Sequence, residues 1–193
     1  MARKLIQNAL VLISLLGASF ISLNAEETNS LFGVEGGMSS LRAETNTNGY
    51  QIQKNSMGHF GLKFGAESEN FRVFFSGRNY LADDNNYLLT GGIEAQYKFN
   101  FSKYADFFIG GNGGIAYIEI GPSSVGSAPG IQNNTPYFGG DVGFNFHATE
   151  SLDLEVGAKY MYMNTVVKQG TVTYDFRDLT SFYGSVIFKW QMD

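Results

Sequence analysis

Few side chains in this sequence are equipped for chemistry. Its 193 residues include no cysteine and two histidines, His59 and His147. Without thiolates, and with two imidazoles far apart in the chain, neither a transition-metal centre nor a thiol nucleophile is expected. The stretch His147-Ala148-Thr149-Glu150-Ser151 has the letters of a Ser-His-acid site. That chemistry needs an imidazole bonded to the serine hydroxyl, with a carboxylate behind it. The other candidates are charges: 13 Lys or Arg against 18 Asp or Glu, with no basic cluster to hold nucleic acid or an anionic polymer. What these groups can do depends on which elements carry them and on which face.

The first 25 residues form a separate unit. Arg3 and Lys4 precede an apolar run from Ala9 to Ile21, and Leu23-Asn24-Ala25 offers a small residue for cleavage. At about 13 residues the run is short of the roughly 20 a membrane helix needs, so 1–25 is expected to be a cleaved signal peptide. The absence of cysteine excludes a lipoprotein anchor. Residues 26–193 then carry 11 basic and 18 acidic side chains.

Read in steps of two, this second part divides into eight alternating stretches, with apolar residues or glycine on one parity and polar or small residues on the other, the pattern of a strand with one face in lipid. The outward sets begin Phe32, Val34, Gly36, Met38; Phe60, Leu62, Phe64, Ala66; and Phe71, Val73, Phe75, where Phe74 breaks the pattern. The fourth, Leu89 to Phe99, faces Thr90, Gly92, Glu94, Gln96 and Lys98 inward. In the fifth, Phe107, Ile109, Ile115 and Tyr117 are set outward so that Asn112 turns in, which leaves Phe108 and Ile118 on the polar side. The last three place Phe138 to Phe146, Leu152 to Tyr162 and Phe182 to Trp190 outward. Connections alternate in length: tight at 67–70, 100–105 and 148–151, longer at 43–54, 121–135 and 167–178, with 82–86 short. Short turns at one end and longer loops at the other are expected of an up-and-down barrel.

A soluble sandwich or a lipocalin-like barrel would invert the faces, crowding the rings into an eight-strand interior. Rings also collect at strand ends, Phe32, Phe64, Phe71, Phe99, Phe107, Phe146 and Trp190 at the turn end and Tyr117, Phe138, Tyr162 and Phe182 at the loop end, as two interfacial girdles would. The expected fold is all-β, an eight-stranded antiparallel transmembrane barrel.

The final strand reads Tyr183-Gly184-Ser185-Val186-Ile187-Phe188-Lys189-Trp190. With the eight segments, it resembles the small outer-membrane β-barrels of Gram-negative bacteria, the porin-family or OmpA-type membrane domain, over about residues 31–190. The resemblance implies residence in the outer membrane, contact with its lipids and lipopolysaccharide, and recognition of the last strand by the barrel-assembly machinery. No peptidoglycan-binding segment follows the barrel in this sequence, so cell-wall tethering is not implied.

Within this frame the charges become the interesting groups. Lys63, Arg72, Arg78, Lys98, Lys159 and Lys189 face inward against Glu35, Glu94, Asp141, Asp153 and Glu155. Near-balance in a narrow lumen suggests a salt-bridged plug. The alternative is a small porin-like channel for ions or small solutes, for which Gly110, Gly111, Gly113 and Gly114 could leave a void. A lipid-modifying enzyme would need a triad, and His147 to Ser151 lies in a tight turn with no strand to fix it. His59 is expected to be a hydrogen-bonded filler. No residue is nominated as catalytic, cofactor-binding or metal-ligating. Loops 43–54, 121–135 and 167–178, with Tyr50, Ile52, Tyr174 and Phe176, are the candidate surface for an extracellular partner.

Overall fold

The computed structural model describes residues 28–45, 51–81, 86–121, 130–169 and 172–191; the expected signal peptide, 1–25, lies outside them. Eight strands follow in order: β1 (Asn29–Thr45), β2 (Gln51–Glu67), β3 (Phe71–Leu81), β4 (Asn86–Ser102), β5 (Ala105–Ile120), β6 (Ile131–Thr149), β7 (Leu152–Gln169) and β8 (Val172–Gln191). Each pairs antiparallel with its neighbours, and β1 pairs with β8 to close the ring.

The three tight turns are where the sequence puts them; a backbone bond closes the first, and short polar side chains make the other two. Ser68 N donates to Phe71 O at 2.8 Å. Ser102 Oγ accepts from the amides of Tyr104 and Ala105 at 3.2 and 3.0 Å. Thr149 Oγ1 accepts from Ser151 N at 3.3 Å. These side chains satisfy amides that leave the ladder.

Over the turn-side part of the barrel the expected faces hold on all eight strands. Val34, Leu62, Phe75, Tyr97, Ile109, Phe144, Val156 and Phe188 are exposed on the outside, while Glu35, Lys63, Arg72, Glu94, Asp141, Asn145, Glu155 and Lys159 are buried within. An exterior this apolar around an interior this polar is the reverse of a water-soluble barrel, so the bilayer is its solvent. Rings form the turn-side girdle by direct contact: Phe71 to Tyr97, Tyr97 to Phe99, Phe99 to Phe107 and Phe107 to Phe144, at centroid distances of 5.0, 4.8, 5.9 and 5.4 Å.

The loop-side part differs from expectation. Residues 43–45, 51–54, 131–135 and 172–178, assigned to loops by the alternation, continue the strands; 46–50, 122–129 and 170–171 lie outside the described residues. The reason is a change of solvent along each strand. Going toward the loops, the inward positions step from Ser39 to Leu41, His59 to Met57, Arg78 to Tyr80, Thr90 to Leu88, Lys159 to Met161 and Ser181 to Leu179. Outward positions become polar at the same level, with Arg42 and Glu44 on β1 and Asp175 and Asp178 on β8. Here the barrel has an apolar core and a polar exterior, like a soluble one. The lengths agree: β6 and β8 have 19 and 20 residues, where a tilted strand crosses the hydrocarbon in about 10.

Because the sequence contains no cysteine, single cysteine replacements report on this boundary directly. In proteoliposomes, a membrane-impermeant maleimide should label Arg42→Cys and Asn164→Cys rapidly and leave Leu62→Cys and Val142→Cys unlabelled. Equal labelling at all four positions would contradict the boundary.

Candidate functional site

The inward charges come together in one network across the lumen. Glu35 on β1 receives Arg78 from β3 in a two-pronged contact, with Arg78 Nη2 to Glu35 Oε2 at 3.0 Å. Arg78 also reaches Glu94 on β4, which Lys159 of β7 meets at 3.0 Å. Lys63 stands 2.6 Å from Glu155, whose other oxygen takes Arg72. Arg72 Nε donates to Gln96 Oε1 at 2.8 Å, and the Gln96 amide donates to Asp141. Nearer the turns, Lys98 pairs with Glu67 at 3.0 Å and Lys189 with Asp153 at 2.9 Å. All six expected cations and five expected anions thus line the lumen. The structure adds Glu67 and Asp106, buried and inward, which the sequence reading left at turn boundaries; extending the strand parity by one step would have found both.

Rings fill the spaces between these charges. Phe74, the residue that broke the β3 pattern, is fully buried, with Lys63 and Arg72 each 5.1 Å from its ring centroid. Phe108 lies 5.3 Å from Arg72, and Tyr183 lies 4.7 Å from Lys159. Each ring is seated on the glycine paired with it on the next strand: Phe74 on Gly65, Phe108 on Gly143 and Tyr183 on Gly157. A Cβ on Gly143 would stand 2.6 Å from Phe108 Cζ, and one on Gly157 would stand 2.8 Å from the Tyr183 hydroxyl oxygen. Thus these glycines admit rings into an interior that is otherwise too narrow.

The glycines of β5 do not leave the lumen void that a channel would use. Gly111 and Gly113 face outward. Gly110 and Gly114 face inward, but Gln96 and Asp141 pack against the first and the β4 backbone at Gly91 and Gly92 against the second. Above the charges, the apolar tier of Leu41, Met57, Tyr80, Leu88, Ile118, Met161, Met163 and Leu179 packs the interior toward the loop side. Phe176 is buried in this tier and stacks on Tyr174 at 6.3 Å. These two rings, expected on a partner-binding loop, belong to the core instead; Tyr50 and the side chain of Ile52 lie outside the described residues.

Neither histidine is placed as a base. His147 has a carboxylate on each ring nitrogen, Asp153 at 2.9 Å and Asp106 at 3.2 Å, which leaves none for a nucleophile. His59 does form a Ser-His-acid array that the sequence reading missed because Glu35 and Ser39 lie on β1 and His59 on β2, and the β1–β2 register brings them together. Ser39 Oγ is 2.8 Å from His59 Nδ1, and Glu35 is 3.3 Å from Nε2. Yet Ser39 is 2% exposed and shares its hydroxyl with Ser181 at 2.7 Å, while Glu35 is engaged by Arg78. No acyl group can reach such a hydroxyl, and the array acts as a hydrogen-bonded filler.

No protein-family profile matches the sequence, and no curated protein does. Solved structures share its fold. Neisserial surface protein A (NspA) superposes with a TM-score of 0.62 at 16% identity, covering 82% of this chain and 97% of that one. OprG from Pseudomonas aeruginosa gives 0.52 at 12% identity, over 84% and 97% of the two chains. The N-terminal β-barrel domain of Pseudomonas aeruginosa OprF gives 0.50 at 13%, over 86% and 100%. The chain has the fold of the small eight-stranded outer-membrane barrels.

A buried charge stripped of its partner is costly, so the network makes a quantitative prediction. Glu94→Gln leaves Arg78 and Lys159 converging on Glu35 alone and should lower stability to urea unfolding in lipid vesicles by about 3 kcal/mol. Adding Lys159→Met should recover part of that loss, which a double-mutant cycle will read as coupling.

Proposed function

We propose that the protein resides in the bacterial outer membrane and acts as a structural or surface-interaction protein through its loop-side tier, not through its lumen. The observation that carries this reading is the two-layer closure of the interior, ion pairs across the middle and an apolar core above them. The same apolar core gives the tier the rigidity of a packed domain where it stands in water. Strands that outrun the hydrocarbon by several residues, at about 3.3 Å each, carry the tier clear of the bilayer surface. Function carried by segments on a rigid scaffold is the usual division of labour.

The outer wall of the tier is mixed in charge. Arg42 lies 3.3 Å from Glu44 and 3.8 Å from Asp178, and Arg177 lies 2.8 Å from Asp175. Cations already paired with carboxylates suit a protein partner better than a polyanion. Neisserial surface protein A, by name a surface protein, shares the fold and supports this reading of where the tier faces. Lipids and lipopolysaccharide around the belt, and the barrel-assembly machinery acting on β8, are the further partners proposed. No enzymatic activity is proposed; among the described residues, the Ser39-His59-Glu35 array is buried.

Conductance tests the reading. Refolded residues 26–193, shown by heat-dependent gel mobility to be closed barrels, should give no discrete steps in a planar bilayer. Reproducible steps whose ion selectivity changes in Glu94→Gln would return the function to the lumen.

A further inference from the structure

The lipid-facing wall is not uniformly bulky. Across β5, β6 and β7 it sinks into a groove of about 410 Å³, floored by Gly140 and Ala158. Ile109 and Val142 bound it on the turn side, and Tyr160 and Thr180 bound it on the loop side. The groove exists because the register brings small residues together: Gly111 pairs with Gly140, and Ala158 sits diagonally from it beside Val142. Phe138, two residues along β6 from Gly140, and Phe182, opposite Ala158 on β8, stand proud at 65% and 68% exposure.

The groove is continuous with the apolar belt, so the medium that meets it is hydrocarbon. A recess left unfilled forfeits dispersion contacts along its whole lining, and a flexible chain of methylenes is the part of that medium able to enter it. At its loop-side end the polarity changes. The Tyr160 hydroxyl donates to Asp178 Oδ1 at 2.6 Å, and Asp178 lies 3.8 Å from Arg42, at the level where the outer wall becomes polar. An acyl chain lying in the groove would therefore have its headgroup at the level of Asp178 and Arg42.

We propose that this groove is a binding site for one acyl chain of a lipid in the loop-side leaflet, held longer than the lipids around the rest of the belt. The site reads the chain and not the headgroup, because the lining between Ile109 and Thr180 is almost wholly apolar. The inference needs only the lipid-facing exterior and is independent of whether the tier above binds a partner.

The test is native mass spectrometry of the barrel extracted from dioleoylphosphatidylcholine vesicles into mild detergent. The wild-type chain should retain one phospholipid through delipidation. Ala158→Phe fills the groove from the outside and should lower that occupancy at least five-fold, with unchanged heat-dependent gel mobility. Val34→Phe, the same gain of bulk elsewhere on the belt, should keep the lipid. Equal retention by Ala158→Phe and the wild type, or no retained lipid on a correctly folded wild-type barrel, would overturn the site and leave the closed-lumen reading untouched.

Discussion

Hydrocarbon offers no partner to a backbone N–H or C=O, so each such group that enters the bilayer must be hydrogen-bonded within the chain. The pairing of β1 with β8, from Asn29 opposite Gln191 to Thr45 opposite Tyr174, removes the two edges an open sheet would present to lipid. Closure with eight strands then fixes an interior only as wide as its side chains. The other features of the lumen are responses to that width. Polar residues must face inward because the outside is lipid, there is little room to hydrate them, and so they must satisfy one another.

The network answers this with shared partners. Glu35 faces Arg78, Lys63 and Lys159, and Glu94 faces Arg78 and Lys159, so neither of these carboxylates depends on a single cation, while Asp141 takes the Gln96 amide. Rings supply what the ion pairs cannot, since a polarizable face against Lys63 or Arg72 replaces part of the lost hydration without adding another group that needs a hydrogen bond. The cross-strand glycines are the steric condition for this arrangement. Enlarging Gly65, Gly143 or Gly157 would push a ring out of a lumen that has nowhere else to put it.

The lipid-facing half of the fold was legible because one physical rule, alternation against hydrocarbon, governs it from end to end. Even the β5 register, where Phe108 and Ile118 pointed the wrong way, was settled by turning Asn112 inward, and both exceptions are buried inside. What the alternation could not show was what the exceptions are for. Phe74 and Phe108 read as noise because their partners on other strands, Lys63 and Gly65 for the first and Arg72 and Gly143 for the second, are defined only once the fold is known. The ion pairs were legible as a set of inward charges but not as pairs. Partners such as Arg78 and Glu35 are 43 positions apart, and the sequence alone favours no one match over another.

The loop-side strands were misread for a more instructive reason. Val167 sits inward among polar residues, and Phe176 is turned inward by the register shift that leaves Arg177 between Asp178 and Phe176, so continuing the lipid parity along the sequence gives the wrong face. The alternation has not stopped; it has changed sides. A strand that passes from hydrocarbon into water must exchange its inner and outer composition at the crossing, since the face that was lipid-exposed now meets water and the face that held ion pairs can now form an apolar core. The same exchange packs apolar side chains across the interior, because the inner face of a wall that stands in water can form an apolar core. Extension of the strands beyond the apolar belt and the packing of an apolar tier inside them are therefore one structural event.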